Sequence, residues 1–259
     1  MLKLVKCEFA KLKRKKFVMF VILAAFLFPI PFTMLVLKGS LGSIDAYDGL
    51  FGLIVSYGQP LLLPCILGIV ASMLFFMERD NDTLKNLRTI PVSAIQIVNA
   101  KLIVLFILGL VFALTSVVAS MLGGAWVGNI HGIFSKLGIS SLIGVLLTAG
   151  ILPVVVAIVF FNRSYVFSVL LTVFYAIFNF SMVTIGLQST VPIMRLLTNI
   201  LPVPLIYRWY LGVSVSPAKS YYVIIEPHIL PLLQVVMTIL VIAVVSYAAI
   251  VQIYKKRED

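Results

Sequence analysis

Charge is scarce in this chain: only 11% of its 259 residues are Asp, Glu, Lys or Arg, while 62% are hydrophobic. A soluble domain carries about 25% charge. Outside its long apolar runs the chain offers no stretch much beyond about 40 residues, below the size at which a domain buries a self-sufficient core. Any ATPase, kinase or soluble binding domain is therefore expected on another chain. No G-x-x-x-x-G-K-[ST] loop is present to cradle a nucleotide phosphate, and no G-x-S-x-G turn to expose a nucleophilic serine. Histidines number two, His131 and His228, without the spacing of a zinc site. Neither catalysis by a metal nor any cofactor bound to this chain is expected. Cysteine is equally sparse: Cys7 falls in a basic head and Cys65 inside an apolar run, so the two read as free thiols.

What the chain has in abundance is uninterrupted hydrophobic sequence. Six runs extend from charge to charge, at 17–37, 49–77, 102–127, 137–161, 164–187 and 229–254. Each exceeds the roughly 20 residues that a helix needs to cross about 30 Å of hydrocarbon. Backbone groups in lipid must satisfy one another, and runs of this length do so as helices. The expected fold is all-α, a polytopic bundle with a transmembrane domain over 17–254, a head at 1–16 and a tail at 255–259. The head followed by the run 17–37 resembles a secretory signal, but that run is longer than a signal's apolar core and no A-x-A cleavage site follows, so the first helix is expected to be retained.

The net charge of +11 carries topology rather than nucleic-acid binding, because basic residues beside span ends set orientation. Seven precede the first run, from Lys3 to Lys16; the loop 78–101 adds Arg79, Lys85, Arg88 and Lys101, the turn at 161–164 adds Arg163, and the tail adds Lys255, Lys256 and Arg257. On this threading the opposite side holds Lys38, Lys136, Arg195, Arg208 and Lys219. The basic side, with both termini, is read as cytoplasmic, and the runs themselves as free of ionisable residues.

Three polar segments stand out. In the head, Leu2, Val5, Phe9 and Leu12 share one helical stripe and the cations another, a pattern that fits either a positive anchor or an interfacial helix touching a partner. In the loop 78–93, Asp80 or Asp82 can cap a short helix bearing Leu84, Leu87 and Ile90 at three-residue spacing, which Pro91 ends. Ser93 can cap the helix that follows. Such a ridge fits a groove on another protein, or simply packs on lipid headgroups. In the segment 188–227, five prolines (Pro192, Pro202, Pro204, Pro217, Pro227) break any span into short helices that dip into the outer leaflet and return, a re-entrant arrangement. Trp209 with Tyr207, Tyr210, Tyr221 and Tyr222 reads as an outer aromatic belt. Within the spans, Pro29, Pro31, Pro60, Pro64 and Pro153 mark kinks, Gly123–Gly124 a close helix approach, and Gln59 and Asn179 interhelical hydrogen bonds.

The basic head, a second run ending in Glu78, then Thr83-Leu84-Lys85, Leu87, Pro91-Val92-Ser93 and Lys101 together resemble permease subunits of type-2 ABC transporters, in particular the bacitracin-resistance and lantibiotic-immunity group. Asp82 stands where that group often has Gly, and Ala94 where it often has a basic residue. The resemblance implies a dimer, with a second copy or a paralogous permease, in a bacterial plasma membrane. It implies separate ABC ATPase subunits that bind ATP and Mg, a coupling helix at Thr83 to Ile90 beside Glu78, and a shorter coupling turn at Arg163. A bundle without charges at span depth suits an amphipathic or lipid-like cargo, antimicrobial peptides or peptide antibiotics best, and the aromatic composition of 188–227 reads either as an outer gate with Trp209, Tyr210 and Tyr222 or as an aromatic anchor with no substrate role. The competing readings are a membrane-embedded enzyme, which needs clustered Glu, His or Asp at span depth, and a stand-alone secondary transporter, which usually needs a mid-membrane carboxylate.

Overall fold

The computed structural model describes residues 1–14, 17–38, 46–80, 92–127, 130–161, 164–217 and 222–258. Among these, every regular element is a helix, and six stretches are long and apolar enough to cross a membrane: Met19–Leu37, Ala46–Phe76, Ala94–Trp126, Ile133–Phe161, Tyr165–Gln188 and Tyr222–Lys256. The all-α polytopic bundle expected from the apolar runs is the fold found.

Proline and the polar caps explain where helices start and stop. Helix α1 spans Leu2–Arg14; the first span follows as α2 (Phe17–Leu27) and α3 (Pro29–Lys38), divided where Pro29 withholds an N–H and begins a new helix. The second span starts as α4 (Ala46–Leu53), widens to a π-helical turn over Ile54–Gly58, and continues as α5 (Gln59–Asp80). The cause lies one residue on: Pro60 cannot donate to the previous turn, and the Gln59 N–H donates to Ile54 O, five residues back. Next comes α6 (Ala94–Val127), opened by a reciprocal cap in which Gln96 N–H donates to Ser93 Oγ and Ser93 N–H to Gln96 Oε1 at 3.4 and 3.2 Å. The fourth span divides at Ile151, before Pro153, into α7 (Ile133–Gly150) and α8 (Leu152–Phe161). An unbroken α9 (Tyr165–Gln188) makes the fifth. Two short helices led by proline, α10 (Pro192–Thr198) and α11 (Pro202–Ser214), then precede α12 (Tyr222–Ile225), a 3₁₀ turn at Glu226–His228 and α13 (Leu232–Glu258).

Helix α6 is the hub, packing on α1, α2, α3, α4, α5, α7 and α13. The second, third and fourth spans form the buried centre, while the first, fifth and sixth turn most of their surface outward. Those outward faces carry Phe20, Leu35, Leu170, Phe174 and Val245, all exposed, as helices facing lipid require. Hydrophobic burial cannot by itself draw helices together in lipid, so close contact matters more than in water. Such contact is achieved through small residues. A Cβ placed on Gly144 would lie 2.7 Å from Ala113 Cβ, one on Gly123 2.3 Å from Thr33 Oγ1, and one on Gly124 2.5 Å from Tyr47 Cδ2. The Gly123–Gly124 pair therefore does provide the close approach read from the sequence.

Gln59 is fully buried, and its Nε2 donates to Ser116 Oγ and Ser140 Oγ at 2.7 and 2.6 Å, joining α5 to α6 and α7 at the π turn. Asn179 differs from expectation: its Nδ2 donates to Tyr175 O, 3.1 Å away on its own helix, while Tyr175 Oη bridges from α9 to Gly150 O at 2.6 Å. An amide on a helix can meet the carbonyl four residues back without help from a neighbour.

Candidate functional site

The helices run past the charges that seemed to bound them. Lys101 lies two turns inside α6 and is fully buried; Asp48 lies on α4, and Lys136, also buried, lies on α7. The expectation that the spans hold no ionisable residue is corrected here. A buried lysine is tolerated where a carboxylate and a carbonyl meet it. Lys101 Nζ donates to Leu74 O at 2.6 Å and to Glu8 Oε2 at 3.3 Å, and sits 5.3 Å from the centre of the Phe75 ring. Glu8 in turn accepts from Lys11 at 2.5 Å. The head helix therefore docks on the bundle through Val5, Glu8 and Leu12, all buried on one stripe. Leu2, placed by the sequence on the apolar stripe, is exposed.

This end of the bundle gathers α1, the last turns of α5, the first turns of α6, the start of α9 and the end of α13. Phe75 packs edge-on against Tyr254, Phe76 against Tyr165, and Tyr247 Oη donates to Asn99 Oδ1 at 2.7 Å. Glu78 falls on the last turn of α5. Thr83, Leu84, Leu87, Ile90 and Arg163 lie outside the described residues.

A second lysine cluster marks the opposite end. Lys136 Nζ donates to Asp48 Oδ1 at 2.6 Å and to His131 O at 2.9 Å, and stands 4.1 Å over the Tyr47 ring; His131 Nε2 lies 3.2 Å from the same Asp48 oxygen. The cluster ties the start of the second span to the start of the fourth. Beside it is a small cavity of 240 Å³, reached also by Tyr210 and Ser214 of α11.

Helix α11 begins with Pro202 pressed on Gly150 at the far end of α7, where an added Cβ would stand 2.4 Å from Pro202 Cβ. It ends beside Lys136 at the beginning of α7, and so lies antiparallel along that helix. Trp209 and Tyr210 are buried within the core, whereas Tyr222 is half-buried at the start of α12. Trp209 and Tyr210 therefore turn inward rather than forming an outward belt. A different aromatic cleft, of 320 Å³, opens between α9, α11, α12 and the π turn, with Tyr57, Phe180, Tyr207, Leu211 and Ile224 among its walls. Tyr57 and Phe180 meet edge-on with centroids 6.0 Å apart. Burial first, and the neighbouring Tyr57 second, push the Tyr207 phenol up from its ordinary value. Burial likewise pulls the Arg208 guanidinium down, and Arg208 Nε donates to His228 O at 2.7 Å, joining α11 to the turn before α13.

Six candidate spans, a mostly apolar exterior and charges consumed in fastening helices define a multi-pass helical membrane protein. Residues 4–179, about two thirds of the chain, match the ABC-2 family transporter proteins, and the chain belongs to that family, as the membrane component of an ABC transporter. No curated protein matches it.

Proposed function

We propose that this chain is the permease of an exporter that expels amphipathic substrates, namely antimicrobial peptides or peptide antibiotics, driven by a separate ATPase that binds ATP and Mg. Membership of the ABC-2 family carries the general reading. The finer one is supported by the half-open aromatic cleft beside α11, which suits a cargo with apolar and polar parts. In this reading the permease is a dimer in a bacterial plasma membrane, resembling the bacitracin-resistance and lantibiotic-immunity group, with both termini cytoplasmic. Helix α11 is re-entrant from the outer face. Glu78, Thr83, Leu84, Leu87, Ile90 and Arg163 contact the ATPase, and α1 lies beside that contact as an interfacial helix. The chain itself is not catalytic.

Copurification from the native membrane tests the partner, and growth protection against peptide antibiotics tests the cargo. Replacing Leu84 and Leu87 by Asp puts two charges into an apolar contact, at a cost of several kcal/mol if it is buried. The ATPase is then lost from the complex while the permease still inserts. Full partner binding by this double variant refutes the coupling assignment, and wild-type protection by a strain lacking the permease refutes the cargo.

A further inference from the structure

Helix α1 presents Lys6, Phe9, Ala10 and Lys13 toward α2, which answers with Met19, Ile22, Leu23 and Phe26. Both sets follow the i, i+3, i+4, i+7 spacing that lays four side chains along one helical stripe. Between the stripes lies an open groove of 880 Å³, at the large end of the range of about 300–1,000 Å³ typical of small-molecule sites. Its walls are almost wholly apolar, and its two charges are both lysines. Glu8 is the one acidic residue of α1, and it turns to the opposite face, where Lys101 and Lys11 engage it. The groove therefore keeps its positive charge without a carboxylate among its lining residues.

We infer that this groove binds one anionic phospholipid, with its headgroup phosphate between Lys6 and Lys13 and an acyl chain along Ile22, Leu23 and Phe26. The two lysines are seven residues apart, so their stems rise from the helix about 10 Å from each other, a span that a phosphoglycerol headgroup bridges. The α2 wall starts at the first residues of the first span and runs inward from there. Only a molecule already in the bilayer can follow that wall, which favours a lipid over an acidic peptide. Lysine stems lying on apolar surface with their ammonium groups at headgroup level are the arrangement that snorkelling favours. The inference needs only that the chain spans a membrane, and is independent of the cargo.

The test attaches a fluorophore to Ile22→Cys in full-length protein carrying Cys7→Ser and Cys65→Ala, reconstituted in nanodiscs. Quenching is followed as brominated phosphatidylglycerol or brominated phosphatidylcholine replaces the unbrominated lipid. Phosphatidylglycerol is expected to reach half-quenching at a mole fraction lower by about twenty-five-fold. Each lysine near anionic headgroups contributes about fivefold, so Lys6→Gln with Lys13→Gln brings the two curves together and leaves the phosphatidylcholine curve unchanged. That unchanged curve shows that α2 is still folded and lipid-facing. Equal quenching by both lipids in the parent protein overturns the proposal, as does a preference that survives the double lysine replacement. So does disulfide capture of Ile22→Cys by a second copy, which would mean that protein covers the groove.

Discussion

Lys101 and Glu8, ninety-three positions apart in the sequence, meet at 3.3 Å in the protein interior. Through Leu74 O the same ammonium also holds the end of α5, so one side chain fastens the head helix, the second span and the third. The junction thus ties α1 to α5 and α6 on either side of the loop that joins them.

Removing one partner of a buried pair strands the other, at a cost of about 3–5 kcal/mol. Glu8→Gln, which leaves the fully buried Lys101 ammonium short of that carboxylate, is expected to lose stability in that range, and Lys101→Met less, because Glu8 keeps its contact with Lys11. The double variant should lose clearly less than the two losses added, by at least about 1 kcal/mol. Unfolding of the purified protein in mixed micelles measures this, and strictly additive losses would show that the contact is incidental. The Lys136–Asp48 pair sets the scale from below. Half of the Asp48 side chain is exposed, so water screens the charge left behind by Lys136→Met, and a smaller loss, about 1–2 kcal/mol, is expected.

Close approach of α6 and α7 supplies the second prediction. At Gly144 an added methyl meets Ala113 Cβ at 2.7 Å and the Gly109 carbonyl at 3.2 Å, and neither can swing aside. Gly144→Ala should cost about 1–3 kcal/mol by overpacking. Gly138, on the same helix, has nothing within 4 Å of a built Cβ, so Gly138→Ala should stabilise by up to about 1 kcal/mol through helix propensity. Equal effects at the two positions would mean that α7 does not pack on α6 as described.

The six spans were legible because each apolar run is long enough to cross a membrane with residues to spare, and Pro29, Pro153 and Ser93 announced the breaks and the cap. What escaped notice was the interior charge. A lysine beside an apolar run reads as its boundary, and nothing local distinguishes Lys101, which continues the helix, from a lysine that ends it. The deciding partners, Glu8 and Asp48, come from distant segments. An acidic residue in the middle of the apolar stripe of an otherwise basic head was the one available signal. The aromatic belt failed for a related reason: composition places Trp209 and Tyr210 near an interface, but their direction follows from α11 lying in contact with α7, α9 and α13.

Sidedness is tested on residues whose exposure is known. Lys3 and Pro217 are both exposed, at the head and at the end of the segment after α11. With Cys7 and Cys65 removed, Lys3→Cys should react with an impermeant maleimide only in inside-out vesicles, and Pro217→Cys in intact cells, if the proposed cytoplasmic placement of the basic head holds. Reaction of both from outside would reverse the threading.

The outer segment offers the sharpest separation of fastening from transport. Trp209 lies in the core, and burying an aromatic of that size is worth about 3–5 kcal/mol; Trp209→Ala should lower expression and stability along with any transport. Tyr57 is half exposed in the cleft, against Phe180 and near Tyr207, and contributes less to the packed interior. Tyr57→Ala with Tyr207→Phe should leave unfolding within about 1–2 kcal/mol of the parent while reducing protection against peptide antibiotics severalfold. Protein level, unfolding and growth protection are measured on the same strains. If protection tracks protein level in every variant, the cleft has no contact with cargo; if it falls in the tyrosine variant at parental level, the cleft lies on the substrate's path.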